Sequence, residues 1–298
     1  MVDIVVNTKL VRASEEVETP LRRAIRRLFY RKSAVFGLAV VAFFIALAVF
    51  APLLTPYDPT AQSWTLVRNE PSVSHWFGTD DLGRDILSRV IFGARASLMA
   101  GVISVGIALS IGLPLGLAAG YLGGLLDSLI GRITDAMLAC PFLILAIALA
   151  AFLGPSLGNA MIAIGVSATP IFVRLTRGQV LAVKMEDYVE AARAVGNPRW
   201  RIVFIHILPN IMPALLVQAT LSIAAAIIAE AALSFLGLGQ QPPAPSWGSM
   251  LNSAQRFLVN APWMAVWPGL AIFLTVLSFN LVGDGLRDAL DPRESGRG

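Results

Sequence analysis

The sequence predicts an all-α integral membrane protein with six transmembrane helices and both termini in the cytoplasm. Three observations carry that prediction: an apolar composition, uncharged runs of membrane-crossing length, and a one-sided distribution of Lys and Arg. Of 298 residues, 56% are hydrophobic and only 14% charged, too apolar a balance for a soluble domain of this size. A helix crosses about 30 Å of hydrocarbon with about 20 apolar residues. With the amino terminus inside, eighteen Lys/Arg fall on the cytoplasmic side and five outside, the asymmetry of the positive-inside rule. The single cysteine, Cys140, excludes an intrachain disulfide, and the separated His75 and His206 leave little for a metal site. Basic residues are scattered between apolar runs instead of gathered on one face, so no nucleic-acid partner is expected.

Residues 1–33 read as a cytoplasmic segment. Within it, Pro20 to Lys32 sets Leu21, Ile25, Leu28 and Phe29 on one helical face among arginines, the pattern of a helix lying on the inner leaflet. Residues 34–54 make the first span. The 33 residues ahead of it and the lack of an A-x-A cleavage pattern after it favour a retained span over a signal peptide. Residues 55–95 are external. There Leu82, Ile86, Val90 and Ala94 recur every four residues behind a capping Thr79, predicting an amphipathic helix under the outer surface or a contact for an external partner.

The second span lies within residues 96–126. Its Gly112, Gly116, Gly120 and Gly124 repeat every four residues around Pro114, and such small residues allow close helix approach. Gly112 and Gly116 are assigned to helix packing, Gly120 and Gly124 to the exit turn. From Ala136 to Val173 run 38 uncharged residues. One helix of that length would reach about 57 Å, so the run folds into a hairpin at "GPSLGN", Gly154 to Asn159. Ile207 to Ala229 and Phe257 to Gly283 supply the last two spans.

No GxxxxGK[ST] loop occurs, and "GLGQQP" lacks the last glycine of a dinucleotide fingerprint. With no Ser/His/Asp set or His-rich helix either, the chain is expected to be no enzyme and to bind no cofactor. Asp127, Asp135, Glu230 and Asp284 are the ionisable groups near spans. Glu230 falls about 30 Å from Asn210, at the outer interface, which makes it either a gate or pathway residue or a hydrogen-bonded structural one. Asp127 and Asp135 flank Arg132 and are expected to pair with it.

The most polar long stretch inside the chain is "EDYVEAARAVGNPRWRIVFIHILPN", within the cytoplasmic connection 174–209. Glu186 and Asp187 suit a helix start, Gly196 a left-handed stop, and Asn197-Pro198 the cap and first position of a second helix. A first helix of about nine residues is too short to stand alone in water, so it must rest on something. Tyr188, Ala191, Ala192 and Val195 share one face, the two alanines let a partner backbone approach, and Glu190 and Arg193 remain for polar contacts. A groove on another protein fits such a helix. A basic loop dictated by topology alone would explain the arginines but not this helix, stop and helix order.

"EAARAVG" followed by "ILPN" resembles the EAA signature of binding-protein-dependent ABC importer permeases. His206 stands where the general pattern has isoleucine, and "HILPN" resembles the peptide-transport branch. "FGTDDLGRDILSRVIFGAR", "EAALSFLGLGQQPPAPSWGSML" and "NLVGDGLRDALDP" are similar to the C-type permease of dipeptide, oligopeptide and glutathione importers. The resemblance implies a type I importer permease fold, with the conserved transmembrane unit at 97–286 and a cytoplasmic tail at 287–298. It implies a bacterial inner-membrane location and a heterodimer with a homologous B-type permease. Two cytoplasmic ATPases, which carry ATP and Mg, and a periplasmic or lipid-anchored binding protein complete the assembly. It assigns ATPase coupling to Tyr188, Glu190, Ala191, Ala192, Arg193, Gly196 and Pro209. Close relatives also carry other small solutes such as nickel chelates. An ion-coupled secondary transporter would call for midplane charges and inverted repeats, neither of which is evident here; a scaffold without transport is the remaining alternative.

Overall fold

The computed structural model describes residues 20–290, all helix and loop apart from one isolated bridge between Thr79 and Asp85. Helix α1 (Pro20–Tyr30) leads into α2 (Lys32–Val49), and Phe50 and Pro52 break α2 from the short α3 (Ala51–Leu54). The remainder of the expected cytoplasmic segment, residues 1–19, and residues 291–298 of the expected tail lie outside the described residues. Arg31 pairs with Asp288, and Gly285 packs under Ala34, so the two described ends of the chain meet at one end of the bundle.

Helix α4 (Ile86–Leu122) departs from the sequence expectation. No separate external helix forms: one 37-residue helix carries the amphipathic pattern straight into the second span. Nothing between Arg95 and Ala96 breaks it, and the small Ala94, Ala96, Ser97 and Ala100 are buried along one continuous seam. Its cap is Asp85, whose carboxylate accepts from Ser88 N at 2.8 Å and from Ser88 Oγ at 2.7 Å. Thr79 instead ties the external loop together, accepting from Asn69 N and donating to Leu66 O.

Helix α5 (Gly124–Ala139) and α6 (Phe142–Leu153) meet at a 93° bend. Pro141 causes it, because it donates no backbone hydrogen bond and forces Cys140 into an extended conformation, φ −88° and ψ 130°. Twelve residues of α6 reach about 18 Å, so the third span is a broken one. The hairpin turn is at Gly154–Ser156, and Ser156 caps α7 (Leu157–Val183). Asn159 Nδ2 donates to Leu153 O and Gly154 O, closing the turn.

Helix α8 (Asp187–Ala194) is followed by α9 (Arg199–Arg201), a π-helical turn (Ile202–Ile207) and α10 (Leu208–Phe235). The sixth apolar run enters its helix later than the sequence suggested. Phe257 ends a 3₁₀ turn, and the last helix, α12 (Trp263–Leu290), follows the amphipathic α11 (Trp247–Ala254). The sequence did not signal α11 as a helix. A reciprocal Ser246–Ser249 capping box starts it, and the fully buried Trp247 donates to Val90 O at 3.0 Å. Among the described residues, five helical runs are long and apolar enough to cross a membrane, and six if the bent α5–α6 pair is one span.

The strongest packing is α4 against α7. A Cβ on Gly112 would stand 2.6 Å from Phe172 Cβ, and one on Gly120 2.8 Å from Val180 Cβ. Gly165 returns the contact, lying under Ile107 of α4. Gly120 thus belongs to this interface and not to the exit turn, which is made by Gly123 and Gly124 at φ +69° and +61°. The reason is length: α4 continues two residues past Gly120.

Candidate functional site

Within residues 174–209, the connection expected in the cytoplasm, the chain folds as a helix, a stop and a second helix. Asp187 and Glu190 occupy the first turn of α8 and Arg193 the last, each placed to complement the helix dipole. Gly196 adopts φ +81° and closes a Schellman arrangement, with Gly196 N donating to Arg193 O at 2.9 Å and Asn197 N to Ala192 O at 3.2 Å. Asn197 Nδ2 donates to the same Ala192 carbonyl at 3.0 Å. The second helix starts one residue later than expected, with Pro198 at the cap. Its π turn widens the helix just ahead of Pro209, whose ring would crowd a normal turn.

Burial divides the faces of α8. Val189 and Ala192 are buried in one apolar cluster with Val180, Ile202 and Ile207. They seat α8 on its own chain, so Ala192 faces inward and not toward a partner. Tyr188, Glu190, Ala191, Arg193, Val195 and Gly196 stay exposed. Burial, and secondarily Glu186, push the Tyr188 phenol above its ordinary range, so it remains an uncharged donor.

Glu230 lies on α10 with no exposed surface. Ser234 Oγ donates to its Oε1 at 2.6 Å and Ser97 Oγ to its Oε2 at 3.0 Å, while Gln240 N donates to Ser234 Oγ at 3.0 Å. The carboxyl therefore bolts α10 to α4 and to the following loop, and it faces no open passage within this chain. Ser234, one turn on from Glu230, was legible as a partner; Ser97, 133 residues away, was not.

Asp127 and Asp135 do not pair with Arg132. Arg177 grips Asp127 through two bonds, Nε to Oδ1 at 2.5 Å and Nη2 to Oδ2 at 2.8 Å, and Arg174 Nη2 reaches Asp135 Oδ1 at 2.6 Å. All three α5 residues line one cavity with Arg174 and Arg177, and the two α7 guanidiniums, reaching across from the neighbouring helix, take the acids in place of Arg132. On the external side, Asp85 also accepts from His75 Nδ1 at 2.9 Å, and Asp80 binds Arg84 Nε at 2.7 Å. Arg89 Nη1 donates to Pro59 O at 2.8 Å. These buried polar groups hold the external loop onto the start of α4.

Residues 112–296 match the family described as binding-protein-dependent transport system inner membrane component, a stretch that includes α8 and its exposed face. The chain belongs to this family of membrane permeases. Residues 19–71 match the N-terminal transmembrane domain of oligopeptide transport permease C. The dipeptide transport system permease protein DppC of Alkalihalophilus pseudofirmus is 51% identical over 92% of this chain and 90% of its own length. The glutathione transport system permease protein GsiD of Salmonella typhimurium is 48% identical over 95% and 93%. An inward-facing structure of the MetNI methionine ABC transporter aligns with TM-score 0.58 and 22% identity, covering 69% of this chain and 98% of that one. The protein is thus a non-catalytic, multi-pass inner-membrane subunit of an ABC importer, a class that works with ATPase and binding-protein partners.

Proposed function

We propose that this permease forms half of the translocation pathway of an ATP-driven peptide importer and couples to cytoplasmic ATPases through α8. The carrying observation is the two-sided burial of α8, with Val189 and Ala192 held by its own chain while Tyr188, Glu190, Ala191 and Arg193 lie exposed. A short helix so seated transmits force in both directions, because moving its outer face must move the α7 and α10 ends that hold its inner face. Gly196 and Pro209 set its stop and its exit.

The other half of the pathway is a homologous, non-identical permease, with two ATPases below and a binding protein, periplasmic or lipid-anchored, delivering substrate from outside. The dipeptide and glutathione names of the relatives at 51% and 48% identity support a peptide cargo. Glu190→Lys reverses a charge on the exposed face, and Gly196→Asp places a side chain at φ +81°. Both variants are expected to abolish peptide uptake and ATPase association while inserting normally into the membrane. Normal uptake in both would sink the coupling role of α8.

A further inference from the structure

Between the cytoplasmic end of α4 and the α7–α8–α9 turn lies an open cavity of about 520 Å³. Lys184, Arg193, Arg199 and Asn197 line it, with Tyr121 and Leu122 on the α4 side; three cations and no carboxylate face the space. Lys184 Nζ donates to Gly120 O at 3.0 Å, which satisfies a terminal carbonyl of α4 and holds the ammonium in the wall. Among the described residues, neither the Arg193 nor the Arg199 guanidinium has a hydrogen-bond or ion-pair partner. Two unspent guanidinium forks beside a fixed ammonium constitute an anion site of the kind that takes phosphate oxygens in pairs.

Its depth in the membrane selects the anion. Arg95 is the last charged residue of α4, and Gly120 lies 25 residues further along the same helix. At 1.5 Å per residue that is about 38 Å, just beyond a hydrocarbon core of about 30 Å and level with the inner headgroups. Trp200, next in the chain to the lining Arg199, and Phe204 are 63% and 59% exposed, as aromatic rings often are at that interface. Leu122, 55% exposed, supplies an apolar edge on the hydrocarbon side. Around α8, Arg193 follows the buried Val189 by one turn, on the flank next to the protein, whereas Ala191 lies opposite. The cavity therefore lies between the cytoplasmic end of α4 and the flank of α8, with Arg193 at the edge of the exposed face.

We propose that this cavity binds the phosphodiester headgroup of an anionic inner-leaflet phospholipid, of the phosphatidylglycerol type, bridging the end of α4 to α8. Basic pockets between transmembrane helices on the cytoplasmic side commonly hold such headgroups. The inference rests on the cavity and not on the ATPase-coupling role, with which it shares Arg193 alone; Lys184 and Arg199 test it separately.

The test uses the full-length chain in phosphatidylcholine nanodiscs doped with photoactivatable phosphatidylglycerol, with crosslinked residues located by mass spectrometry. Labelling is expected around Leu122, Lys184 and Arg199, displaced by unlabelled phosphatidylglycerol but by neither phosphatidylcholine nor soluble glycerophosphate. Lys184→Gln, Arg193→Gln and Arg199→Gln should each lower it about fivefold, the ratio given by about 1 kcal/mol per basic residue near an anionic surface. Arg193→Lys should keep most of it. Arg132→Gln, an exposed cation outside the cavity, should change nothing and controls for general surface attraction. Equal labelling in the wild type and the triple variant would overturn the proposal, as would phosphatidylcholine competing as well as phosphatidylglycerol. Displacement by glycerophosphate would make it a free-phosphate site. Label unchanged in the triple variant, with loss of a co-purifying ATPase, would assign the cations to a protein partner.

Discussion

Replacing Gly116 by Ala adds one methyl group to the close-packed seam between α4 and α7. Its Cβ would stand 2.5 Å from Thr176 Cβ and 2.8 Å from Val173 O, where ordinary contact begins at 3.4 Å. One neighbour is a branched Cβ and the other a backbone carbonyl, so neither yields by a rotamer change and the two helices must part. Overpacking of this kind costs about 1–3 kcal/mol. Ala also gains up to about 1 kcal/mol over Gly in a helix, which would blur the result if the variant were compared with wild type alone. Gly106→Ala removes that ambiguity. Gly106 lies in the same helix with no atom within 4 Å of its Cβ position, so it collects the helix gain without the clash. The propensity contribution cancels between the two variants, leaving Gly116→Ala about 1–3 kcal/mol less stable than Gly106→Ala. The assay is the fraction of purified chain surviving gel filtration after heating, checked by maleimide labelling of the single Cys140. Equal stability of the two variants would refute the ridge as a close-packed interface.

Three further outcomes follow from the polar contacts. Glu230→Leu removes the acceptor of both serines and strands the Ser97 hydroxyl at a cost of about 1–3 kcal/mol, Ser234 Oγ keeping its bond from Gln240 N, whereas Glu230→Gln should retain both stability and uptake; loss of uptake in a stable Gln variant would restore a proton or pathway role. The Asp127–Arg177 pair has side chains 23% and 39% exposed, so a double-mutant cycle should give a coupling of about 1 kcal/mol or less, and a value several times larger would mean that α5 docks through this pair alone. Burial first, and then the Asp80 carboxylate, push Asp81 above the usual carboxylate range despite Arg84 and Arg89. A raised folded pKa means that Asp81 favours folding below its unfolded pKa and loses that advantage as pH rises through the folded value. Asp81→Asn should therefore raise the melting midpoint at neutral pH, with the gain shrinking on acidification; a lowered midpoint at neutral pH would contradict it.

Much of the architecture was legible from contiguous stretches. Hydropathy located the membrane runs, and "GPSLGN" marked the α6–α7 turn that Ser156 and Asn159 close. The helix, stop and helix order around Gly196 was likewise written locally, because dipole charges, a left-handed glycine and a proline act within a few residues of their own position. Boundaries failed where a local signal had a tertiary competitor. Thr79 had the chemistry of a cap, but the loop drew it to Asn69 and Leu66 and left Asp85 to start α4. The α11 helix went unseen because Trp247 and its serine box sit in a stretch with no long apolar period.

Composition, charge sidedness and the EAA-like stretch determined by themselves that this is a helical membrane permease, since each is a property of residues adjacent in the chain. Only the tertiary structure decided which groups meet across it. It gave Glu230 to Ser97 and Asp127 to Arg177, turned Ala192 inward, placed Gly120 in the α4–α7 seam, and gathered Lys184, Arg193 and Arg199 around one cavity. Such pairings depend on how whole helices approach and rotate against one another, and a single sequence carries that information only in the sum of many weak contacts.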